Sequence, residues 1–315
     1  MAAFLRRRGT QTIPTLLGIL TLVFLMLRLL PGDPAAFIAG ENIGEEALAA
    51  VRADLGLDQP LPVQFVTYLA RVVQGNLGQS IITKAPVTSV IALALPITVL
   101  VGGLALLLSL LVAVPLGTVA AYSASKGRAF LDHGVTITAL VVDVVPGFWL
   151  ALLFMLFFTL QLGLFPATGA LSAEDPGALA LRLVLPVAVL ALGQIASVAR
   201  ITRTAVLEVL HEDYIRTARA LGTPEWSVLF GHALRNAALP IVTIAGLSVG
   251  RLLGGTVLIE NIFAIPGMGT VLITGIFSRD YPVVQGVILL YTLIFVLVNI
   301  TTDVLYTRVD PRVKL

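Results

Sequence analysis

The sequence has no cysteine and carries few charged residues for its length of 315. The missing cysteine excludes disulfides, thiolate metal sites and a cysteine nucleophile. Charged residues make up 12% of the chain, about half the share of about 25% that soluble domains carry. Hydrophobic residues make up 57%, and the mean hydropathy is +0.98. A water-soluble globule cannot bury so much apolar surface, so the composition predicts an integral membrane protein, and the net charge of +2 gives no sign of nucleic-acid binding.

Six apolar stretches organise the chain, and each is close to the length of about 20 residues that a helix needs to cross a bilayer. They are Ile13–Leu30, Ile97–Ala121, Val135–Leu160, Leu183–Ala199, Leu239–Ile259 and Val283–Leu305. Because each span must satisfy its own backbone hydrogen bonds in lipid, we predict an all-α protein with six transmembrane helices. Pro115, Pro146 and Pro186 lie in or near these spans, and we expect them to kink the helices.

The positions of lysine and arginine predict the direction of the spans. With the N-terminus in the cytoplasm, cytoplasmic segments hold 13 of the 20 basic residues and external segments hold five. Because cytoplasmic loops are rich in Lys and Arg, this distribution predicts that both termini are cytoplasmic. A cleaved signal peptide is the weaker alternative for the first span, since its apolar run is long for a signal.

This topology divides the chain into segments. They are 1–30 (N-terminal cytoplasmic segment and first span), 31–95 (external region), 96–308 (core of five spans with a cytoplasmic loop at 200–239) and 309–315 (cytoplasmic tail). We predict that the external region caps the membrane bundle. Within it, Glu45–Leu55 is predicted to form a short helix that Gly56 closes.

The cytoplasmic loop has the pattern of a helix, a stop and a second helix. Asp213 is predicted to cap a short helix through Tyr214–Leu221, and Gly222 to end it with Pro224 just beyond. The second helix is predicted from Glu225 to about Ala237. Loops of this length without a role are uncommon, so we expect this one to carry function.

The same loop resembles a known family. Tyr214–Gly222, His232–Asn236 and the pair Leu239-Pro240 are similar to the coupling loop of ABC importer permeases, and more narrowly to the first-permease (B-type) branch of the dipeptide/oligopeptide/nickel family. Arg216-Thr217-Ala218 stands where the general importer motif has Glu-Ala-Ala, with Gly222 at the matching spacing.

The resemblance runs along nearly the whole chain. The further segments that carry it are 30–34 (Leu-Pro-Gly-Asp-Pro), 55–60 (Leu-Gly-Leu-Asp-Gln-Pro), 255–263, 266–269 (Pro-Gly-Met-Gly), Asp303 and 310–312 (Asp-Pro-Arg). Each is weak alone, but their order and spacing are specific.

The resemblance implies an ABC importer type I-like permease fold in the bacterial inner membrane. It also implies a heterodimer with a second permease, two cytoplasmic ATPase subunits and an external substrate-binding protein. The residues expected to receive the ATPase motion are Asp213, Tyr214, Arg216, Thr217, Ala218, Arg219, Ala220, Gly222, Leu239 and Pro240. The chain has no phosphate-binding loop, so ATP and Mg belong to the partner ATPases, and we predict no catalytic, cofactor or metal residue in this chain. The substrate stays open among dipeptide, oligopeptide, glutathione and nickel chelate.

Two charges lie well inside predicted spans, away from their ends. Asp143 and Arg251 are costly in hydrocarbon, so we expect them either to line a translocation path or to form an interhelical ion pair. Glu260 and Asn261, at the external end of the fifth span, are either a helix-end polar pair in water or, with Phe263, Pro266 and Gly267, part of an external gate.

Three glycines four residues apart, Gly246, Gly250 and Gly254, predict a helix face for close packing, with the partner permease as a candidate neighbour. The segment 246–250 also matches the Gly-x-Ser-x-Gly pattern of serine hydrolases, but it lies in an apolar span and not on a strand-to-helix turn. An intramembrane hydrolase is therefore the weakest alternative. An ATP-independent secondary transporter or channel is the stronger one, although we find no internal repeat of the kind such proteins show.

Overall fold

The computed structural model of the chain describes residues 2–29, 44–54, 56–166 and 175–309. In these ranges the chain folds into helices, and its β-pairing is one isolated bridge between Gln79 and Pro86. The helices are α1 (Ala2–Leu29), α2 (Glu45–Asp54), α3 (Leu61–Val73), α4 (Val87–Ser125), α5 (Ala129–Val144), α6 (Gly147–Phe154), α7 (Pro176–Leu210), α8 (Asp213–Ala220), α9 (Leu234–Asn236), α10 (Ala238–Ile262), α11 (Met268–Phe277) and α12 (Tyr281–Val309). Two π-helices, Met155–Gln161 and Ser227–Ala233, follow α6 and precede α9. The all-α prediction is confirmed for the described residues.

Four helices are long and apolar enough to cross a membrane: α4, α7, α10 and residues 281–306 of α12. A fifth span results if residues 133–144 and 147–161 count together, although the two pieces are bent by 95° at their junction. The first predicted span lies on the 28-residue helix α1, whose described apolar part is Thr12–Leu25. The described residues therefore give four or five membrane-crossing helices by length and composition, where the sequence predicts six.

The bend between α5 and α6 lies at Pro146. Val145 has an extended backbone with φ −76° and ψ 124°, since the ring of a following proline disfavours the helical region. The amides of Trp149 and Leu150 then bond to the carbonyl of Pro146 and start α6. The kink expected at Pro146 is therefore confirmed, and it divides the predicted span Val135–Leu160 into two helices.

Several helices extend beyond the predicted spans. α4 begins at Val87, within the segment predicted to be external, and α7 continues to Leu210, within the predicted cytoplasmic loop. Both helices stay continuous through Pro115 and Pro186, so the kinks expected there do not interrupt them. The helix α11 has no counterpart among the predicted spans. Hydrophobic length marks the part of a helix that lies in lipid, but it does not mark where the helix ends.

The chain divides into two compact units, of which the first comprises residues 1–97 and 266–296. Its core lies where the start of α4 meets α11 and the start of α12. The buried side chains of this core are Val87, Ile91, Ala94, Met268, Val283 and Val287. Gly286 allows a close approach of α12 to α4, because a Cβ at this position would lie 2.6 Å from a methyl group of Val87.

Two further contacts stabilise the first unit. The buried carboxylate of Asp280, just before α12, accepts hydrogen bonds from Ser80 Oγ (2.5 Å) and from the amide of Ile81 (3.0 Å). In the predicted external region, α2 ends as expected: Gly56 has φ +64°, and the amide of Leu57 bonds to a carbonyl in the last turn of α2 at 2.9 Å. The predicted helix at 45–55 is confirmed, while residues 30–43 and 310–315, with the motifs that fall on them, lie outside the described residues.

The second unit comprises residues 98–265 and 297–315, and α7 is its central helix. α7 packs against α5, α6 and α10. It also approaches α4 closely, since a Cβ on Gly117 would lie 2.5 Å from the carbonyl oxygen of Ala199. The candidate functional residues of the cytoplasmic loop and of the membrane spans lie mainly in this unit.

Candidate functional site

The predicted helix, stop and second helix are present in the cytoplasmic loop. α8 spans Asp213–Ala220, and Gly222 beyond it has φ +80°, which glycine adopts without the cost that a Cβ brings. The amides of Gly222 and Thr223 bond to the carbonyls of Arg219 (3.0 Å) and Ala218 (3.1 Å), which is the Schellman arrangement of a helix end. The chain resumes a helical path at Glu225 and passes through the π-helix Ser227–Ala233. Gly222 therefore fixes where α8 ends.

The predicted capping role of Asp213 is wrong. Glu212 occupies the N-cap position and makes no side-chain capping bond, while Asp213 lies in the first turn of α8. Its carboxylate pairs instead with Arg216 one turn later, at 3.0 Å. Both side chains are largely exposed, so the pair adds little stability. A negative charge in the first turn is still favourable, because it faces the positive end of the helix dipole.

Ile215 anchors α8 to the rest of the unit. It is the large apolar residue in the middle of the motif, and it is 0% exposed. It belongs to a buried cluster that joins the end of α4, the end of α7 and the start of α10 with the π-helix between α8 and α9. The other members are Ala121, Ala205, Val206, Leu210, Val228, Leu229, Ala233, Ala237 and Ile241. A displacement of α8 therefore acts directly on three long helices.

A charged network fixes the segment that follows α8. Arg219 Nε lies 3.2 Å from Glu225 Oε1, and Lys126 Nζ lies 3.3 Å from the same oxygen. Lys126 directly follows α4, so Glu225 connects the end of α4 with the end of α8. The sequence motif includes Arg219, but it gives no reason to select Lys126, which lies 99 residues from Glu225.

Tyr214 connects α8 to α9. Its phenol forms a side-chain hydrogen bond with Asn236, whose own amide donates to the carbonyl of His232 at 2.9 Å. Burial raises the pKa of the Tyr214 phenol above its ordinary value, with a smaller contribution from Glu212, while the bond to Asn236 acts in the opposite direction. Tyr214 thus stays a neutral hydrogen-bonding group at physiological pH.

The outer side of this loop carries apolar side chains that are largely exposed, and one of them, Trp226, packs its ring 4.4 Å from that of Phe230. Leu221 is 81% exposed and Trp226 is 69% exposed. Of the small residues in the motif, Thr217 and Ala220 are exposed and Ala218 is half-buried. Large exposed apolar groups beside small ones are typical of a protein-binding surface. We call the surface formed by Thr217, Ala220, Leu221 and Trp226 the loop face.

Leu239 and Pro240, the last residues of the motif, lie in the first turn of α10. Proline fits there because the amides of the first turn have no partner within the helix. The pair therefore belongs to the start of the fifth predicted span, and the buried cluster around Ile215 lies beside it through Ile241.

The structure does not bring Asp143 and Arg251 together. Asp143 Oδ2 of α5 lies 3.3 Å from Arg200 Nη2 of α7. Arg251 instead donates to two serine hydroxyls, Ser197 Oγ at 3.2 Å and Ser248 Oγ at 3.3 Å. The hypothesis of an ion pair between these two charges is wrong, because Asp143 forms its interhelical ion pair with Arg200 and Arg251 bonds to serines.

Arg251 lies midway along α10, about 20 Å from the first residue of that helix at 1.5 Å per residue. Its residue is exposed on the surface of the unit, whereas Ser197 and Ser248 are buried. An arginine at the centre of a bilayer costs about 2.5–3.5 kcal/mol, so this position requires a protein or aqueous surrounding. The burial of Ser248 within a helix also removes the structural context that a hydrolase nucleophile needs.

The candidate gate residues differ in burial and in the unit to which they belong. Glu260 is 0% exposed and accepts a hydrogen bond from Thr98 Oγ1 at 2.7 Å, so the interpretation as a polar pair in water is wrong for this residue. Asn261 is exposed, and Phe263 is buried just after α10. The remaining two, Pro266 (exposed) and Gly267 (buried), belong to the first unit. Glu260 is thus a link between α4 and α10.

The three glycines of α10 do not pack against the same neighbouring helix. A Cβ on Gly246 would lie 2.8 Å from the Thr302 methyl carbon, so α10 and α12 touch there. Gly250 is half-buried, and Gly254 is exposed with nothing within 4 Å of an added Cβ. Successive residues four apart rotate by about 40° around a helix of 3.6 residues per turn, which separates the first glycine from the last. Gly246 serves packing within this chain, and Gly254 is available to a neighbour.

Comparison with known proteins identifies the family. Residues 113–315 match the binding-protein-dependent transport system inner membrane component, and residues 1–102 match the N-terminal membrane component of the same systems. The chain belongs to this family. It is therefore a multi-pass permease subunit of the bacterial inner membrane, and the predicted resemblance is confirmed.

Curated relatives match the permease along its whole length. A Brucella abortus protein whose name describes a peptide transport system permease is 44% identical over 315 residues, covering 100% of this chain and 99% of the relative. The Bacillus subtilis oligopeptide transport system permease is 37% identical over 318 residues, with 100% of both chains covered. The Salmonella typhimurium glutathione transport system permease is 38% identical over 314 residues, covering 100% of this chain and 99% of the relative.

Proposed function

We propose that this permease forms half of the membrane pathway of an ATP-driven importer of peptides. Its full-length relatives are named for peptides, oligopeptides and glutathione, which is itself a short peptide. The proposed complex contains a second permease, two cytoplasmic ATPases that hold ATP and Mg, and an external binding protein that delivers the peptide. Dipeptide, oligopeptide and glutathione all fit these relatives.

The observation that carries the proposal is the anchored loop. α8 has a buried side chain, Ile215, on the permease side and the loop face on the other. A helix of eight residues is too short to be stable alone, so contacts on both sides must hold it. We propose that an ATPase binds the loop face, and that closure of the ATPases on ATP moves α8 as a rigid lever. The Ile215 cluster and Glu225 then pass this motion to α4, α7 and α10.

The proposed topology has six spans, with α1 as the first and α5 with α6 as a broken third. Both termini lie in the cytoplasm, and α2 and α3 lie in the external region. This arrangement places the loop face and the predicted external helices on opposite sides of the membrane. It agrees with the excess of basic residues in the predicted cytoplasmic segments.

The absence of cysteine makes a labelling test direct. Ala220→Cys places a thiol on the exposed loop face with a small change of volume, and Val73→Cys places one at a position that is 87% exposed in the predicted external region. Each variant is treated in inside-out vesicles with a membrane-impermeant maleimide, with and without the two ATPases. We expect the thiol of Ala220→Cys to react only when the ATPases are absent, and the thiol of Val73→Cys to stay unlabelled in both cases.

Each deviation from that pattern has a defined meaning. Labelling of the Ala220→Cys variant that the ATPases do not reduce contradicts the docking site and favours an ATP-independent transporter. Labelling of the Val73→Cys variant in inside-out vesicles contradicts the topology. Uptake of labelled peptide by the complete complex, and its loss when either ATPase is inactivated, tests the transport activity itself.

A further inference from the structure

A fixed positive charge lies midway along α10, on the surface of the second unit. The guanidinium of Arg251 offers five N–H donors. The structure shows two of its nitrogens bonded to Ser197 and Ser248, and none of the ion pairs among the described residues includes this arginine. An arginine stays charged at physiological pH, so the site holds a cation without a matching anion.

A hydrogen-bond acceptor lies one helical turn along α7 from Ser197, which bonds to Arg251. Gln194 is one turn before Ser197 on α7, and residues three apart lie on the same side of a helix. Gln194 is only 7% exposed, and its Oε1 atom has no hydrogen-bond partner. Buried polar atoms are nearly always paired, so the unpaired carbonyl of Gln194, one turn from a serine that bonds to Arg251, indicates that a ligand or water completes the site.

The position of Arg251 along α10 indicates whether lipid, protein or water surrounds its side chain. It lies about 20 Å from the start of α10, one of the helices long and apolar enough to cross a membrane, so the charge falls within a candidate membrane span. Two buried serines hold it in place. Charged side chains within a membrane span face the bundle interior or a water-filled cavity. Arg251 is exposed on this chain, so its guanidinium is accessible from the open side of α10.

We infer that Arg251 is a carboxylate-binding residue of the translocation pathway. Its guanidinium binds a carboxylate of the transported peptide, while Gln194 Oε1 accepts a hydrogen bond from an N–H group of the same peptide. The inference rests on the proposed peptide import. The flat fork of a guanidinium matches the two oxygens of a carboxylate, and such charge-assisted pairs are stronger than neutral ones. The carboxylate comes from the peptide C-terminus or from an acidic side chain, and the test separates these sources.

The first test compares matched peptides in proteoliposomes that hold the complete transporter. The peptides are a neutral peptide with a free C-terminus, the same peptide with an amidated C-terminus, and an amidated peptide with one glutamate. For Arg251→Gln, we expect uptake of the free acid at sub-saturating concentration to fall at least about tenfold, because a bond to a charged group is lost. Uptake of the neutral amidated peptide should stay within about twofold of wild type.

Each rate is divided by the wild-type rate for the same peptide, which cancels any preference of the binding protein. Arg251→Lys keeps the charge but not the fork, and we expect a smaller loss for the free acid. Arg200→Gln is the matched control, since Arg200 pairs with Asp143, and it should change all peptides alike. A loss of the glutamate peptide in Arg251→Gln extends the site to acidic side chains. Equal loss of free and amidated peptides, or no loss, overturns the inference.

The second test does not depend on uptake. Arg251→Cys introduces the only cysteine of the chain, and its reaction with a water-soluble methanethiosulfonate is read on this chain by mass spectrometry, with and without ATP. We expect a reaction in at least one nucleotide state, and a cationic reagent should restore uptake of the free acid where a neutral reagent does not. A thiol that reacts in neither state overturns the inference. If the wild-type complex takes up no peptide, the proposed function fails, and this reactivity alone decides whether Arg251 faces water.

Discussion

Replacing Ile215 with alanine is expected to uncouple ATP hydrolysis from transport. Ile215 is fully buried, and the change removes three carbon atoms from the cluster that joins α8 to α4, α7 and α10. At about 0.8 kcal/mol per buried CH₂, the lost transfer free energy is about 2.4 kcal/mol, and the remaining cavity adds to it within the range of about 2–5 kcal/mol known for such changes.

This loss of free energy affects α8, a helix that is not stable without contacts to the rest of the protein. α8 has eight residues, below the about 12–15 at which an isolated helix becomes marginally stable. A loss of about 2.4 kcal/mol lowers the ratio of docked to undocked α8 about 50-fold, since 1.4 kcal/mol corresponds to a factor of ten. The loop face keeps its residues, so the ATPases still bind and hydrolyse ATP. Their motion then displaces an undocked α8 and is no longer passed to α4, α7 and α10.

The assay is the number of peptides transported per ATP hydrolysed in proteoliposomes. We expect this ratio to fall in Ile215→Ala, because the equilibrium between docked and undocked α8 shifts about 50-fold toward the undocked state. Ile215→Val is the conservative control, with an expected cost of about 0.5–1.5 kcal/mol and a ratio near wild type. Leu221→Ala is the complementary control, because Leu221 is 81% exposed and its loss weakens ATPase binding without opening a cavity.

Hydrogen exchange of the α8 amides separates the steps of this reasoning. Faster exchange in Ile215→Ala with an unchanged transport-to-ATP ratio refutes the lever role of α8. Unchanged exchange refutes the estimate of the anchoring energy.

Three further predictions concern stability, measured by thermal unfolding of the purified permease in detergent. Gly246→Ala places a methyl group against Thr302 and is expected to destabilise by about 1–3 kcal/mol, whereas Gly254→Ala, which meets no atom within 4 Å, is expected to be nearly neutral. Ala264→Gly is expected to stabilise by about 1 kcal/mol, because Ala264 has φ +51° and a Cβ is unfavourable in that region. Asp280→Ala leaves two donors without their acceptor and is expected to destabilise by about 1.5–3 kcal/mol.

Each of these has a result that contradicts it. Equal unfolding temperatures for the two glycine variants contradict the close contact of α10 with α12. A lower unfolding temperature for Ala264→Gly contradicts the relief of backbone strain, and an unchanged temperature for Asp280→Ala contradicts the contribution of its buried hydrogen bonds.

The membrane class, the family and the plan of the cytoplasmic loop could all be predicted from the amino-acid sequence. These features depend on local properties: the apolar composition, the run lengths, and a glycine that ends a helix wherever its neighbours permit a positive φ. Gly222 and Gly56 are examples, since each ends its helix as predicted. The break at Pro146 is partly local as well, but the sequence did not distinguish it from Pro115 and Pro186, which lie in continuous helices.

Which side chains meet depends on the tertiary packing. Glu225 lies 99 residues from Lys126, and Thr98 lies 162 residues from Glu260, so no local pattern predicts either contact. Arg251 and Asp143 were the two charges that the sequence selected, but the packing of α7 between them gives each another partner. A hydrogen bond or an ion pair forms only within a few ångströms, and that proximity depends on how distant helices pack, which hydropathy and spacing do not encode.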